Sequence, residues 1–351
     1  MLAAVTTAPH VIEVTQRPEP VSPPPGHVLV RPETVGICGS DFHIFEGDNS
    51  ALSGSERAYP RIQGHEISAQ IVAVGDGCPP ELTTGARVGI WPLVACGRCY
   101  SCRLQRPNVC VNFQLIGVHT DGGFQELLTV PATQAFPAGD ADPAVVAFAE
   151  PMSVAVHAVR RGRVSAGEHV AVLGAGPIGQ AVLLAAVDLG ARVMVVDPLT
   201  SRQELALACG AETVYWGPAG SIVAAVREWS GGDGPEIVLD TTGDPAALGQ
   251  ALDMVVPAGR IVVVGMSGKE APIRSGVLPV KEVDVLGSSC CDAGDFAAAV
   301  ALVRRSAPAV TRLITDDFPL TAAADAIARA MGKPHEVMKV TVSAPGGGAG
   351  R

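Results

Sequence analysis

The chain has 351 residues, a formal net charge of −10, and a composition that is 48% hydrophobic and 4% aromatic. The length predicts two domains rather than one core, and the acidity argues against a nucleic-acid surface, which needs a basic stripe. Its apolar runs are broken early, by Glu150, by Asp188 and by Gly and Pro, so none approaches a bilayer span. The N-terminal stretch MLAAVTTAPHVIEV lacks a basic region, apolar core and cleavage site, which predicts a soluble cytoplasmic protein. In a reducing compartment, nine cysteines point to metal ligation before disulfides.

From Val11 to about Val88 the pattern is one of short β segments cut by Pro and Gly, with VLVRPETVGI (28–37), ISAQIVAVG (67–75) and ARVGI (86–90) the clearest strands. Helices do not alternate with them, so the region reads as β-rich, and PVSPPPG (20–26) reads as a surface loop. GICGSDFH (36–43) reads as a turn carrying Cys38, Ser40, Asp41 and His43. QGHE (63–66) sets His65 and Glu66 just before a strand. Taken singly, these residues suit a buried thiol, a turn serine and a core histidine equally well.

The stretch VACGRCYSCRLQRPNVC (94–110) changes that balance, because Cys96, Cys99, Cys102 and Cys110 fall in the pattern C-x2-C-x2-C-x7-C. Four thiolates so close can converge on one tetrahedral zinc with no open position, the structural type. Two disulfides are the alternative, which would suit a short secreted chain better. Beside such a lobe, Cys38, His65 and a nearby carboxylate form a soft, borderline and hard ligand set. That set suits a zinc ion with an exchangeable position. Further on, IGVHTDGGFQELLTVP (116–131) reads as a hairpin with a Gly-Gly turn. Residues 143–161 read as an apolar connecting helix.

At Glu168 strands begin to alternate with helices, the mark of a parallel sheet. The strand HVAVLG (169–174) runs into GAGPIG (174–179), a helix ends at Gly190, and the next strand, RVMVVD, ends in Asp197. In this context Gly174 permits a tight turn and Gly176 lets backbone approach a pyrophosphate. Pro177 and Ile178, between these glycines, are cofactor-binding candidates with them, and Gly179 permits close packing of helix on strand. Asp197 would accept the ribose hydroxyls of NAD and repel the 2′-phosphate of NADP. Arg202 could reach such a phosphate or simply be solvated. EIVLDTTG (236–243), RIVVVGMSG (260–268) and EVDVLGSS (282–289) continue the sheet, the last as its final strand. DFAAAVALVRRS (295–306) reads as an amphipathic helix and EVMKVTV as a strand. Cys78, Cys209, Cys290 and Cys291 read as structural thiols, and the Gly-rich tail SAPGGGAGR is assigned no function.

GICGSDFH, GHE, the four-cysteine lobe, AEPMSVAVHA (149–158) and the glycine motif together make the chain resemble the zinc-dependent medium-chain dehydrogenases. This is the family of alcohol, sorbitol and threonine dehydrogenases, and the likeness covers nearly the whole chain. It implies an α/β protein with a GroES-like β-rich catalytic domain (1–150 and 290–351) interrupted by a doubly wound Rossmann domain (151–289). It implies a structural zinc on the lobe and a catalytic zinc near Cys38, His65, Glu66 and Glu150. Family members differ over which Glu binds directly. Ser40 and His43 match the family's proton-relay positions, and Asp41 supports the turn or the surroundings of the zinc. Thr242, Gly243, Gly265 and Met266 match loops that line the dinucleotide crevice.

The stretches 116–131 and HAVRRGRV (157–164) are similar to the bacterial polyol and sugar-acid branch. The implied reaction is therefore NAD-linked oxidation of a secondary hydroxyl on a polyol, sugar or sugar acid. The implied assembly is a homo-oligomer, a tetramer before a dimer. A threonine or butanediol dehydrogenase is the alternative on the same scaffold, and a zinc-stapled NAD sensor is the non-enzymatic one. Zinc-independent quinone reductases lack both cysteine features.

Overall fold

A computed structural model describes residues 1–48, 59–333 and 335–344; the Gly-rich tail from Pro345 onward lies outside them. Two compact units emerge: Met1–Glu150 with Asp292–Arg351, and Pro151–Cys291.

In chain order the first unit opens with β1 (Leu2–Ala8), β2 (Val11–Gln16), β3 (His27–Gly36), α1 (Gly39–Glu46), β4 (Arg61–Ile62), β5 (Glu66–Val74) and β6 (Arg87–Ile90). It continues through β7 (Leu93–Val94), α2 (Tyr100–Arg103), β8 (Gln114–Leu115), β9 (Leu128–Pro131), β10 (Ala135–Pro137) and α3 (Pro143–Ala147). Next come α4 (Ala149–Arg161), β11 (His169–Leu173), α5 (Pro177–Asp188), β12 (Arg192–Val196), α6 (Thr200–Ala208), β13 (Thr213–Tyr215) and α7 (Ala219–Trp229). The second unit closes with β14 (Ile237–Asp240), α8 (Pro245–Met254), β15 (Arg260–Val263), α9 (Val277–Lys281) and β16 (Asp284–Gly287). The chain then rejoins the first unit as α10 (Ala293–Arg305), α11 (Ala307–Leu313), β17 (Ile314–Pro319), α12 (Ala323–Ala330) and β18 (Lys339–Ser343).

The main sheet of the first unit runs β10-β6-β5-β3-β18-β17, with β9 also paired to β3. Alternation along these strands buries Val28, Val30, Val35, Ile67, Ile71, Ile90 and Val340 in one apolar core, with Phe124 packed among them. The register matters more than the core. β3 pairs with β5 so that Gly36 faces Glu66, and with β18 so that Gly36 faces Thr341. Residues just past β3, at the start of β5 and at the start of β18 therefore meet at one end of the sheet.

Two local expectations fail for identifiable reasons. GICGSDFH is not a turn: residues from Gly39 onward form α1. Asp41 Oδ2 accepts the Cys38 backbone N–H at 2.9 Å, and this satisfies a donor at the helix start. The segment 116–131 is not a hairpin, since only Leu128–Pro131 is a strand there, and its partner is β3. A Cβ on Gly122 would stand 2.3 Å from Gly64 O, and one on Gly123 would stand 2.8 Å from Val35. These glycines serve close packing rather than a reversal of the chain.

The second unit is a six-stranded parallel sheet in the order β13-β12-β11-β14-β15-β16. Helices cover such sheets on both faces, which explains the unbroken apolar runs Val170–Leu173 and Ile237–Leu239, all buried. The order of strands reverses between β11 and β14. That switch point is where doubly wound sheets open a crevice beyond the carboxyl ends of their strands. No helix among the described residues is long and apolar enough to cross a membrane.

Helix α10 ties the late chain segment into the first unit through Phe296, which is fully buried with its ring centroid 5.1 Å from that of Phe136. Phe296→Ala should therefore destabilise the first unit by about 3–5 kcal/mol. Urea titration followed by circular dichroism should report this as an earlier unfolding transition.

Candidate metal and dinucleotide sites

At the end of β3, Cys38 heads helix α1, and His65 and Glu66 stand at the start of β5. Sulfur, imidazole nitrogen and carboxylate oxygen of these three lie within 4.8 Å of one another. His65 and Glu66 are buried, while Cys38 is half-buried. Asp41, on the first turn of α1, is wholly buried with one oxygen 3.7 Å from His65 Nδ1. Its carboxylate also takes hydrogen bonds from Gln63 Nε2 at 3.2 Å and from the Gly64 amide at 3.3 Å. Gln63 in turn accepts from Thr6 at 2.6 Å, so Asp41 is held from both sides.

Ser40 and His43 share α1 but have different surroundings. Ser40 Oγ lies 3.4 Å from His65 Nε2. His43 is on the exposed side and pairs with Asp48 at 3.0 Å. Glu150 stands at the start of α4, near enough to feel the charges of His65, Glu66, Lys339 and Asp41.

Lys339, at the start of β18, is a participant that sequence reasoning missed. Its Nζ donates to both Glu66 oxygens at 2.7 and 2.9 Å and to Ile37 O at 2.9 Å. One signal was available: a single charged residue inside the otherwise apolar and β-branched strand VMKVTV.

The electrostatics of this pocket favour a bound cation. Burial pushes the Glu150 carboxyl up to about 7, against the pull of His65. Burial likewise raises Asp41, against the pull of the same imidazole. For His65 itself, burial acts downward, but Asp41, Cys38 and Glu150 together raise it well above its usual value. One thiol and three carboxyl groups thus crowd one imidazole and one ammonium. A divalent ion would relieve the excess negative charge, and the S, N and O donors fit zinc.

The second set is the lobe around α2, where the ligand atoms of Cys96, Cys99, Cys102 and Cys110 also lie within 4.8 Å of one another. Cys110 Sγ accepts from the amides of Cys96 at 3.3 Å and Asn112 at 3.4 Å, and the Cys99 and Cys102 sulfurs are 3.4 Å apart. The Ser101 hydroxyl and the amides of Cys102 and Val111 lower Cys99 to about 5. Burial and the adjoining sulfurs push Cys102 up to about 12. Such thiols do not all ionise together unless a cation neutralises them. Four sulfurs and no exchangeable donor fit a closed zinc site.

In the second unit the glycine motif sits between β11 and α5. Gly174 has φ +90°, a left-handed conformation that favours glycine, and Gly179 is packed so tightly that a Cβ would come within 2.0 Å of Gly174 O. The space beside Gly176 is open: a Cβ there would have Arg202 Nη1 as its nearest neighbour, at 3.8 Å. Pro177 and Ile178 form the first turn of α5. Asp197 is buried at the end of β12, where it accepts the amides of Ala175 at 2.7 Å and Leu199 at 2.9 Å. Arg202 Nη1 is 3.8 Å from Asp197, and its buried Nε has no hydrogen-bond partner. The later loops also converge: Thr242 Oγ1 donates to Asp240 at 2.7 Å, and Gly243 and Gly265 are packed against each other too closely for a side chain. The Met266 side chain is almost fully exposed at 95%. A pyrophosphate fits the open backbone at Gly176, and the orphaned guanidinium nitrogen of Arg202 fits an anionic or hydroxylated neighbour.

Residues 24–140 match the alcohol dehydrogenase GroES-like domain family, and residues 177–305 match the zinc-binding dehydrogenase family. The chain is 33% identical to the L-galactonate-5-dehydrogenase of Escherichia coli over 93% of its own length and 94% of that protein. A solved alcohol dehydrogenase of E. coli, complexed with NADH, superposes with a TM-score of 0.87 at 31% identity, covering 98% of this chain and 99% of that one. A zinc-binding dehydrogenase of Sinorhizobium meliloti bound to NADP gives 0.88 at 30% identity, covering 97% and 98%.

The two ligand sets should separate in metal analysis. Purified protein is expected to carry zinc at both. Cys38→Ser should lose only the ion at the β3–β5 end. Cys99→Ser should lose the lobe's ion and lower the melting temperature, because a closed site contributes directly to folding. Atomic absorption with differential scanning fluorimetry checks both outcomes.

Proposed function

The chain belongs to the zinc-binding dehydrogenase family, whose members are oxidoreductases, and we propose that it oxidises a secondary hydroxyl of a polyol, sugar or sugar acid to a ketone with NAD. The observation that carries this reading is the thiol, imidazole and carboxylate set of Cys38, His65 and Glu66 beside Glu150. Bound zinc would supply Lewis-acid stabilisation of the alkoxide, and the nicotinamide would accept the hydride.

The remaining work falls to the chain's own residues. Asp41, 3.7 Å from His65 Nδ1, holds negative charge beside the ring without a hydrogen bond to it, and the other nitrogen, Nε2, faces Ser40. Ser40, beside that ring, accepts the substrate proton at Oγ and passes it outward. His43, exposed and paired with Asp48, delivers it to solvent. The lobe's four cysteines hold a second, structural zinc and take no part in the chemistry.

On the cofactor side, Gly174, Gly176, Pro177, Ile178 and Gly179 receive the pyrophosphate, while Thr242, Gly243, Gly265 and Met266 border the rest of the dinucleotide. Asp197 accepts the adenosine ribose hydroxyls and repels a 2′-phosphate, which favours NAD. Arg202 beside it narrows the margin. The same reading makes the protein a cytoplasmic homo-oligomer, a tetramer by family likeness, acting on a small molecule.

NAD reduction across polyols, aldonates, threonine, butanediol and simple alcohols tests the proposal. A polyol or sugar acid should be preferred, with activity lost to a chelator and restored by zinc. Preference for threonine or butanediol would keep the site and overturn the substrate class. No turnover by protein that still binds zinc and NAD would favour a sensing role. Ser40→Ala should lower kcat by about 10²–10⁴-fold with zinc content unchanged. Asp197→Ser should raise kcat/KM for NADP relative to NAD, as measured by initial rates with each cofactor.

A further inference from the structure

Trp216 stands just past the end of β13, at the carboxyl edge of the parallel sheet, and no step of the proposed reaction uses it. We infer that its indole is the platform on which the adenine of the dinucleotide stacks, fixing the adenosine end beside Asp197. This rests on the reading above that the glycine turn and Asp197 hold a dinucleotide.

Strand order and nucleotide chemistry place the base. The adenosine ribose lies between pyrophosphate and adenine, so the two leave it in different directions. The glycine turn is on the β11 side of Asp197, whose carboxylate accepts the Ala175 amide at 2.7 Å. On its other side Asp197 meets β13. Val196 is in register with Tyr215, and the Asp197 amide donates to Tyr215 O at 3.3 Å. A ribose held by Asp197, with its pyrophosphate toward β11, presents its base toward β13, the outermost strand on that side. Trp216 is the next residue there.

Its surroundings suit that role. The side chain is 53% exposed, a large flat apolar face that a purine covers well. The turn that carries it is closely packed: a Cβ on Gly217 would stand 2.6 Å from Ser221 Oγ and 3.1 Å from Tyr215 Oη. The indole is thus presented on a fixed backbone, which lowers the ordering cost of binding. Trp229, by contrast, packs edge-on against His169 at the amino ends of the strands, with ring centroids 5.0 Å apart.

Indole emission of the full-length, zinc-loaded protein tests this, with the Trp216 signal taken as the difference between wild type and Trp216→Phe. AMP and ADP-ribose should quench that signal, whereas nicotinamide mononucleotide, which has no adenine, should leave it unchanged. By titration calorimetry, Trp216→Ala should weaken ADP-ribose binding by about 5–150-fold, and Trp216→Phe should largely retain it. Both variants should melt with wild type, because the side chain is half-exposed. Unchanged ADP-ribose affinity in Trp216→Ala would overturn the inference. So would equal quenching by nicotinamide mononucleotide and AMP. Equal losses of affinity in Trp216→Phe and Trp216→Ala, with earlier melting of both, would also overturn it, since the indole would then be merely structural. Wild-type protein that binds no ADP-ribose would overturn the dinucleotide reading itself, and the inference with it.

Discussion

The pairing of β3 with β5 on one side and β18 on the other is the constraint on which the first unit's chemistry depends. Gly36 faces Glu66 in one ladder and Thr341 in the other. That register sets a thiol, an imidazole, a carboxylate and an ammonium, drawn from three separated parts of the chain, around one point. A slip of one residue in either ladder would turn Glu66 or Lys339 to the opposite face. The absence of a side chain at position 36 completes the arrangement, because the Glu66 carboxylate occupies that volume.

The charge gathered there is mostly negative. Among the described residues, Asp41, Glu66, Glu150 and the Cys38 thiol gather around His65 and Lys339, in a largely buried region. Buried charges of this kind persist when they are paired or coordinate metal. The four-cysteine lobe meets the same problem differently. Its segment is short, its small helix buries no side chain, and backbone amides aimed at sulfur take the place of an apolar core. One site holds its donors through the folded sheet, the other through closeness in sequence. This difference explains why the lobe suits a permanent staple and the β3–β5 end suits exchange.

The second unit follows a different logic. The middles of its inner strands are apolar and buried, and the polar groups that matter sit at or past the ends of strands, where the strand order reverses. Asp197 is held by two backbone amides, one of them from Ala175 inside the glycine turn, so the acidic residue and the turn stabilise each other's geometry. The nearby Arg202, with a buried nitrogen lacking a partner, tempers the negative potential that Asp197 alone would create.

Much of this was legible in the chain itself. The cysteine spacing, the glycine motif followed by Asp197, and the change from β segments to alternating strands and helices are local patterns. Local patterns survive in one dimension because the groups involved are neighbours in sequence. The helix at Gly39–Glu46 is hidden in the sequence because an aspartate side chain capping its start also looks like a turn. The glycines at 122 and 123 mislead because close packing and chain reversal both call for glycine. Lys339 reads only as part of a strand. Its partner lies 273 residues away, and no periodicity connects them. The sequence by itself determined which donors and which cofactor turn the protein possesses. Tertiary structure alone decided which carboxylate is gripped by an ammonium, because that depends on strand register across three distant segments.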